Sequence, residues 1–125
     1  MLVDTDVLIW YLRGHTGAAR LLDNLPEFRL SAVTYMELMQ GCRNRQELTR
    51  LKKDLSRRQA AILPISEAVS NRAANLVEAH FLGDGLMLAD ALIAATAIEY
   101  GFTLTSANIK HFRVVQGLEL QAFEP

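Results

Sequence analysis

Residues 1–9 read MLVDTDVLI, an apolar run that is interrupted by two acids and then becomes apolar again. The part from Met1 to Asp4 predicts a short buried strand, and the residues after it predict a helix that reaches Leu12. Thr5 or Asp6 is expected to cap this helix, since short polar side chains bind the free amides of a first helical turn. The stretch is therefore a strand followed at once by a helix, the building block of an α/β fold.

The same alternation of strands and helices continues along the chain. Apolar runs bounded by turn residues predict strands, and apolar residues at helical spacing predict helices. The expected strands after the first are Phe28–Ser31, Ala60–Ile65, Phe102–Thr105 and a weak one at Gln121–Phe123; the expected further helices are Ala18–Asn24, one from Ser31 or Thr34 to Gln40, Arg45–Arg58, Ser66–Phe81 and Leu86–Tyr100. We predict one α/β domain over residues 1–125, a three-layer sandwich with a central parallel sheet of four to five strands flanked by helices.

The composition is that of an ordered protein from a reducing compartment. Half of the 125 residues are hydrophobic, and the single cysteine, Cys42, leaves no internal disulfide. No leader segment is recognised at the start. The longest apolar run, Leu86–Ile98, is interrupted by Asp90 and is shorter than the ~20 residues that span a bilayer. We expect a cytoplasmic protein without a membrane segment.

Charge is distributed unevenly although the net charge is only −1. Residues 43–58 contain seven basic and two acidic residues, a local charge of +5, which leaves −6 for the rest of the chain. Such a segment is either a solvated helix surface or a face that contacts RNA or a protein partner. The sequence leaves both interpretations open.

Three carboxylates stand within apolar runs. Asp4 ends the first strand, Glu37 lies in Val33–Met39, and Asp90 lies in Leu86–Ile98. Removing such a charge from water costs several kcal/mol unless it is paired, and too few cations lie beside these three in the sequence. Convergence on one divalent metal ion would satisfy all three, and this predicts a hydrolase of phosphate esters.

Each acid also has a structural interpretation. Asp4 could cap the first helix, but Thr5 and Asp6 are available for that, which leaves Asp4 for a metal. Thr34 to Glu37 has the spacing of a capping box, in which Glu37 would only bond back to the helix start. Asp90 could be a first-turn residue favoured by the helix N-terminus.

Other polar residues complete the predicted site. Asn108 follows the fourth strand, so it is expected at the same end of the sheet as Asp4, where ligands of such sheets bind. Asp6 is expected mainly as a helix cap with a supporting role. An all-oxygen site suits Mg²⁺ or Mn²⁺. The three histidines show no ligand spacing and are interpreted as surface residues, and Asp84 as a turn residue; the three are His15, His80 and His111.

Four motifs in order resemble those of the PIN domain family, and within it the VapC-type toxin ribonucleases. The motifs are LVDTDVLI at 2–9, TYMELMQG at 34–41, ADALIAATA at 89–97 and LTSANIKHF at 104–112. The resemblance covers essentially the whole chain. It implies a metal-dependent endoribonuclease with Asp4, Glu37 and Asp90 as its catalytic acids, a VapB-type antitoxin partner and a homodimer.

The chain departs from the family pattern at two positions. Asn108 stands where the family often has a fourth acid; it brings no charge, which weakens the case for a second metal ion. Ser106 stands where threonine is common and keeps a hydroxyl near the metal. Lys110 and Arg113, near the same end of the sheet, are predicted to contact RNA phosphates.

The first helix predicts a partner surface. Val7–Leu12 is apolar on every side, and one core cannot bury all of it. The alternative is that Trp10 and Tyr11 are ordinary core residues.

Two other functions fit parts of the sequence. A haloacid-dehalogenase-type phosphatase would use Asp4 and Asp6 as nucleophile and acid/base, but the chain is short for one and Asp90 would go unexplained. A catalytically silent binding module on the PIN scaffold is favoured by Asn108. A receiver domain is disfavoured, because Leu63–Ile65 holds no phosphoacceptor aspartate.

Overall fold

A parallel sheet of five strands lies at the centre of the computed structural model, which describes all residues from 1 to 125. The strand order is β3-β2-β1-β4-β5, and every neighbouring pair is parallel. The strands are β1 (Leu2–Val3), β2 (Arg29–Ser31), β3 (Ala61–Leu63), β4 (Leu104–Ser106) and β5 (Leu120–Ala122). The predicted sheet is confirmed, including its weak fifth strand.

Seven helices connect and cover the strands. They are α1 (Thr5–Leu12), α2 (Thr16–Asp23), α3 (Ala32–Gln40), α4 (Arg45–Arg57), α5 (Glu67–His80), α6 (Leu88–Tyr100) and α7 (Ile109–Phe112). The one-turn helix α7 was not predicted. None of the helices combines the length and the apolar character that crossing a bilayer requires.

Two hydrophobic clusters lie on opposite faces of the sheet. Successive residues of a strand point to opposite faces, so Leu2 packs in the cluster formed with α5, α6 and α7, whereas Val3 packs in the one formed with α1, α2 and α4. Helix α3 contributes to both clusters, through Val33 and Leu38 respectively. This arrangement confirms the predicted three-layer sandwich.

Helix caps differ from the sequence prediction. Asp4, rather than Thr5 or Asp6, is the N-cap of α1, because its side chain accepts a hydrogen bond from the first backbone amide of the helix. Ser31 caps α3, which excludes the Thr34 alternative. His15 caps α2 through its ring, so interpreting it as a plain surface residue was wrong.

Helix α6 is buried in its middle but exposed at its start. The run from Ala91 to Ala97 packs almost completely into the core. An apolar sequence such as Leu86–Ile98 indicates a helix that is buried on all sides. Met87, the N-cap, and Leu88 are nevertheless 66% and 68% exposed, so the first turn of the helix meets solvent. Gly101 ends the helix in the left-handed conformation.

Candidate active site

Asp4 lies at the carboxyl end of β1 and is 6% exposed. Its Oδ1 accepts a hydrogen bond from the Thr5 amide at 2.8 Å, and its Oδ2 accepts one from Ser106 Oγ at 2.7 Å. Ser106 is the last residue of β4, the strand paired with β1. Asp4 is therefore held at the edge where the two central strands end.

Asp6 turns towards the same edge although it lies in the first turn of α1. Its Oδ2 accepts a hydrogen bond from the Ala107 amide at 3.1 Å and lies 3.3 Å from Ser106 Oγ. Its Oδ1 is buried without a hydrogen-bond partner. Asp6 is thus a member of the site rather than a helix cap, and its Oδ1 lacks the hydrogen bond that a buried carboxylate oxygen normally receives.

The pKa values of these two acids are displaced upward. Burial, and after it the neighbouring charge of Asp6, raises the pKa of Asp4 to about 7, with a smaller contribution from Asp90; hydrogen bonds from Ser106 and Thr5 oppose the rise. Burial likewise raises the pKa of Asp6. No salt bridge involves either residue. No basic side chain therefore neutralises the two acids, so binding of a proton or a cation at this pair is favoured.

Glu37 is connected to this edge through Thr5. Its Oε1 accepts a hydrogen bond from Thr5 Oγ1 at 2.7 Å, and the same hydroxyl lies 3.0 Å from Thr34 Oγ1. Because Ser31 supplies the cap of α3, the capping-box interpretation of Glu37 is wrong. The side chain is directed at the start of α1 rather than at the start of its own helix.

Asp90 is the third residue of α6 and lies in its first turn. Its Oδ2 accepts a hydrogen bond from the Met87 amide at 3.1 Å, and its side chain is 17% exposed. Its charge acts on the pKa of Asp4, which places the two carboxylates in one electrostatic neighbourhood. We refer to Asp4, Asp6, Glu37 and Asp90 as the acidic cluster.

The acidic cluster is not a closed metal cage. No group of three or more His, Cys, Asp or Glu side chains is placed to hold a metal ion. In the structure Asp4 lies directly beside Asp6, and Asp90 lies close enough for its charge to raise the pKa of Asp4. Glu37 is connected to the others through the hydroxyl group of Thr5. That residues 4, 37 and 90 bind one ion therefore stays a prediction.

Two residues after β4 extend the site. The Asn108 amide donates to Ser106 Oγ at 2.8 Å, and the Asn108 side-chain nitrogen lies 2.7 Å from His111 Nδ1. That ring nitrogen is 3.4 Å from Asp90 Oδ2. His111 lies at the surface as predicted, with a side chain that is 37% exposed, but its contacts with Asn108 and Asp90 were not predicted. Its three-residue spacing from Asn108, just after a strand that ends at the site, is the signal that could have found them. Lys110 is exposed on α7.

A groove of about 750 Å³ begins at Glu37 and runs between α1, α3 and α4. Its walls include Ile9, Leu12, Arg13 and Arg50. A second cavity, of about 560 Å³, is lined by residues at the amino ends of β2 and β3, and contains no residue of the acidic cluster. Of these two cavities, only the first includes a residue of the acidic cluster, namely Glu37.

The first helix has the apolar surface that its sequence predicted. Val7 and Leu8 are buried, whereas Ile9, Trp10 and Leu12 are 38%, 36% and 48% exposed. Trp10 packs edge-on against the His15 ring at the surface, so the alternative of an ordinary core residue is wrong for Trp10. Tyr11 is partly buried against the cluster formed with α1, α2 and α4, as that alternative expected.

The fold and the site define a parallel α/β protein with carboxylates gathered where its central strands end. Residues 1–118 match the family model of the PIN domain. Ribonuclease VapC10 of Mycobacterium tuberculosis is 31% identical over 125 residues, covering 95% of this chain and 90% of the relative. The chain therefore belongs to the PIN domain family and is similar to its VapC members, as the motifs predicted.

Solved structures agree with this assignment. A toxin-antitoxin complex from Klebsiella pneumoniae contains a chain with a TM-score of 0.79 and 30% identity, covering 94% of this chain and 93% of that chain. A chain of FitAcB from Neisseria gonorrhoeae gives a TM-score of 0.74 and 26% identity, with 95% and 94% covered. The family assignment removes the basis of the phosphatase alternative, and the buried Oδ1 of Asp6 argues against its acid/base role.

Proposed function

We propose that this chain is a metal-dependent endoribonuclease that hydrolyses phosphodiester bonds in RNA with Mg²⁺ or Mn²⁺, as the toxin of a toxin–antitoxin pair in the cytoplasm. The observation that carries the proposal is the buried pair Asp4 and Asp6, whose pKa values are raised and whose charges no cation balances. Burying two unpaired carboxylates destabilises a folded protein, and a bound cation offsets this loss of stability. The name of the VapC10 relative supplies the reaction class.

The donor chemistry of the acidic cluster fits a hard divalent cation. Every candidate ligand atom is a carboxylate oxygen, and Asp6 Oδ1 is a buried oxygen without a partner. Mg²⁺ keeps several of its waters and needs only one or two carboxylates, so a three-residue cage is not required. Asp4 and Asp90 are the residues we propose to hold the ion, with Glu37 as a further ligand.

The residues of the chain prepare the site for this reaction. Ser106 fixes the Oδ2 oxygen of Asp4, and the Thr5 amide fixes its Oδ1, so the carboxylate cannot rotate away. Thr5 also fixes Glu37 through its hydroxyl. When bound, the ion supplies a water that is activated near neutral pH and offsets negative charge at the phosphate.

We propose that the groove beside Glu37 receives a VapB-type antitoxin. The exposed Ile9 and Leu12 offer apolar contacts to an amphipathic segment. The lining also offers ion pairs of both signs, from Arg13, Arg43 and Arg50 and from Glu37, Glu47 and Asp54. A segment in this groove would lie at the entrance to Glu37. The complex from Klebsiella pneumoniae shows that a chain 30% identical assembles with an antitoxin.

We propose that the protein is a homodimer through the apolar residues around the start of α6. Four large apolar side chains there are each more than 60% exposed: Phe81, Leu82, Met87 and Leu88. Exposed apolar surface of this kind usually marks a contact with another protein. Sedimentation velocity of the free protein tests this: Leu82→Asp should shift a dimer to a monomer, and a monomeric parent protein would refute the dimer.

Metal-dependent cleavage tests the proposed reaction. The purified protein is incubated with a pool of structured RNA, with Mg²⁺ or Mn²⁺ and then with excess chelator. Cleavage is expected only with the ion, and Asp90→Asn should lower the rate at least 100-fold by removing a metal ligand.

Glu99→Gln is the matched control for Asp90→Asn. Glu99 lies on the same helix, about 13 Å further along its axis, and pairs with Arg72 outside the acidic cluster. Its variant should cleave at the rate of the parent protein. Equal cleavage with ion and chelator would refute the metal dependence, and no cleavage by a folded parent protein would favour the silent binding module.

A further inference from the structure

His111 closes a chain of polar contacts around the acidic cluster. Its Nδ1 lies 3.4 Å from Asp90 Oδ2 and 2.7 Å from the side-chain nitrogen of Asn108. The backbone amide of Asn108 donates to Ser106 Oγ, and that hydroxyl donates to Asp4 Oδ2. Two acids from distant parts of the chain are thereby connected through four polar contacts, of which the one between Asp90 and His111 is the longest.

The imidazole ring is fixed by more than this one nitrogen. A Cβ atom built on Gly85 would lie 3.6 Å from ring Cδ2, so the ring packs against the backbone of that loop. Gly85 has φ +74°, a left-handed conformation that favours glycine and brings the backbone close to the ring. The ring is held between this loop and Asn108, with the side chain 37% exposed.

Asp90 has few other restraints on its carboxylate. Apart from His111, its hydrogen bond is to the Met87 amide, and both contacts use the same oxygen, Oδ2. A carboxylate held only by the first turn of its own helix can still rotate about its terminal bond. A second contact from another element restricts that rotation.

We propose that His111 is a positioning residue, which orients the Asp90 carboxylate through Nδ1 and is itself supported by Asn108. This inference rests on the proposed nuclease function. A carboxylate only accepts hydrogen bonds, so Nδ1 carries the hydrogen in this arrangement. That single hydrogen is shared: the Asn108 amide, turned by half a turn so that its oxygen faces the ring, is the nearer acceptor at 2.7 Å, and Asp90 Oδ2 is the second, longer contact at 3.4 Å. The hydrogen on Nδ1 distinguishes this role from mere packing against Gly85.

Three variants of His111 separate the two ring nitrogens. His111→Asn places an amide near the position of Nδ1, His111→Gln places one near Nε2, and His111→Ala removes both. We expect kcat to fall about 10- to 100-fold in the Ala and Gln variants, with KM within about twofold, and the Asn variant to recover most of the rate. His80→Gln is the control, because that ring pairs with Asp84 away from the acidic cluster.

Two measurements test the role without cleavage. The Mn²⁺ dissociation constant, from electron paramagnetic resonance, should rise about tenfold in the Ala and Gln variants and stay near the parent value in His111→Asn. Ring ¹⁵N chemical shifts of the metal-free parent should show hydrogen on Nδ1. Thermal melting should be nearly unchanged in all variants.

The outcomes distinguish this inference from the proposed function. Unchanged kcat and Mn²⁺ affinity in His111→Ala, or a parent ring with no hydrogen on Nδ1, would overturn the positioning role even if RNA is cleaved. A parent protein that binds Mn²⁺ with the expected dependence on residue 111, yet cleaves no RNA, would support the positioning role and refute the nuclease.

Discussion

Asp4→Asn should stabilise the metal-free protein at alkaline pH while abolishing cleavage. Burial and the Asp6 charge raise the pKa of Asp4 from 3.8 to about 7. Between these values the folded state keeps a proton that the unfolded state has released, so the free energy of unfolding falls as pH rises and levels off above pH 7. Three pKa units at 1.36 kcal/mol each set an upper limit of roughly 4 kcal/mol on this loss.

The substitution preserves the local hydrogen bonds. The new amide oxygen can accept from the Thr5 amide as Oδ1 does, and asparagine is a good N-cap. The Ser106 hydroxyl, which donates to Asp4 at 2.7 Å, can turn to donate to Asp6 and accept from the new amide nitrogen. The variant therefore removes the charge with little change in shape.

Urea unfolding of both proteins in chelator, from pH 4.5 to 8.5, measures the effect. We expect the variant to exceed the parent by about 2–4 kcal/mol at pH 8 and to differ by less than about 1 kcal/mol near pH 4.5. The free energy of unfolding of the variant should still fall slightly as pH rises, because burial also raises the pKa of Asp6. Equal destabilisation of the variant at every pH would refute the reasoning.

Three further variants test other contacts. Replacing Lys110 and Arg113 together by Gln should reduce the slope of log affinity for single-stranded RNA against log salt by about 1.4, in filter-binding titrations; an unchanged slope removes their assignment as phosphate contacts. Tyr11→Phe should cost about 1–2 kcal/mol in urea unfolding, because its hydroxyl donates to Asp54 at 3.0 Å; a cost near zero would show that water replaces the contact. Gly85→Ala should lower stability by about 1–2 kcal/mol at φ +74°, and an unchanged melting temperature would contradict the strain.

The sheet and its acidic edge could be predicted because their signals are local. A short apolar run that ends in Asp4 gives both the strand and the position of the acid at its carboxyl end. The motif order then gave the family, which the match over residues 1–118 confirms. The helix bounds shifted by only a residue or two where caps competed, as at Asp4 and Thr5.

The contacts of Asp6 and His111 could not be predicted because they are not local. Asp6 meets the Ala107 amide across 101 positions of sequence, and only the pairing of β1 with β4 brings them together. The ring of His111 meets Asp90 only because the fold places α7 beside α6, although β4 lies between these two helices in the sequence. The exposure of Leu88 likewise depends on which other elements of the fold pack against it. An apolar sequence pattern contains no information about those neighbours.

The hydrogen bond between Ser106 and Asp4 spans 102 positions, nearly the whole length of the polypeptide. During translation the first acid is added early, but its hydroxyl partner is added only when about five-sixths of the residues have been joined. The central strand β1 also lacks its neighbour β4 until then. A nascent chain that lacks β4 therefore cannot hold the Asp4 carboxylate in the orientation that it has in the folded protein.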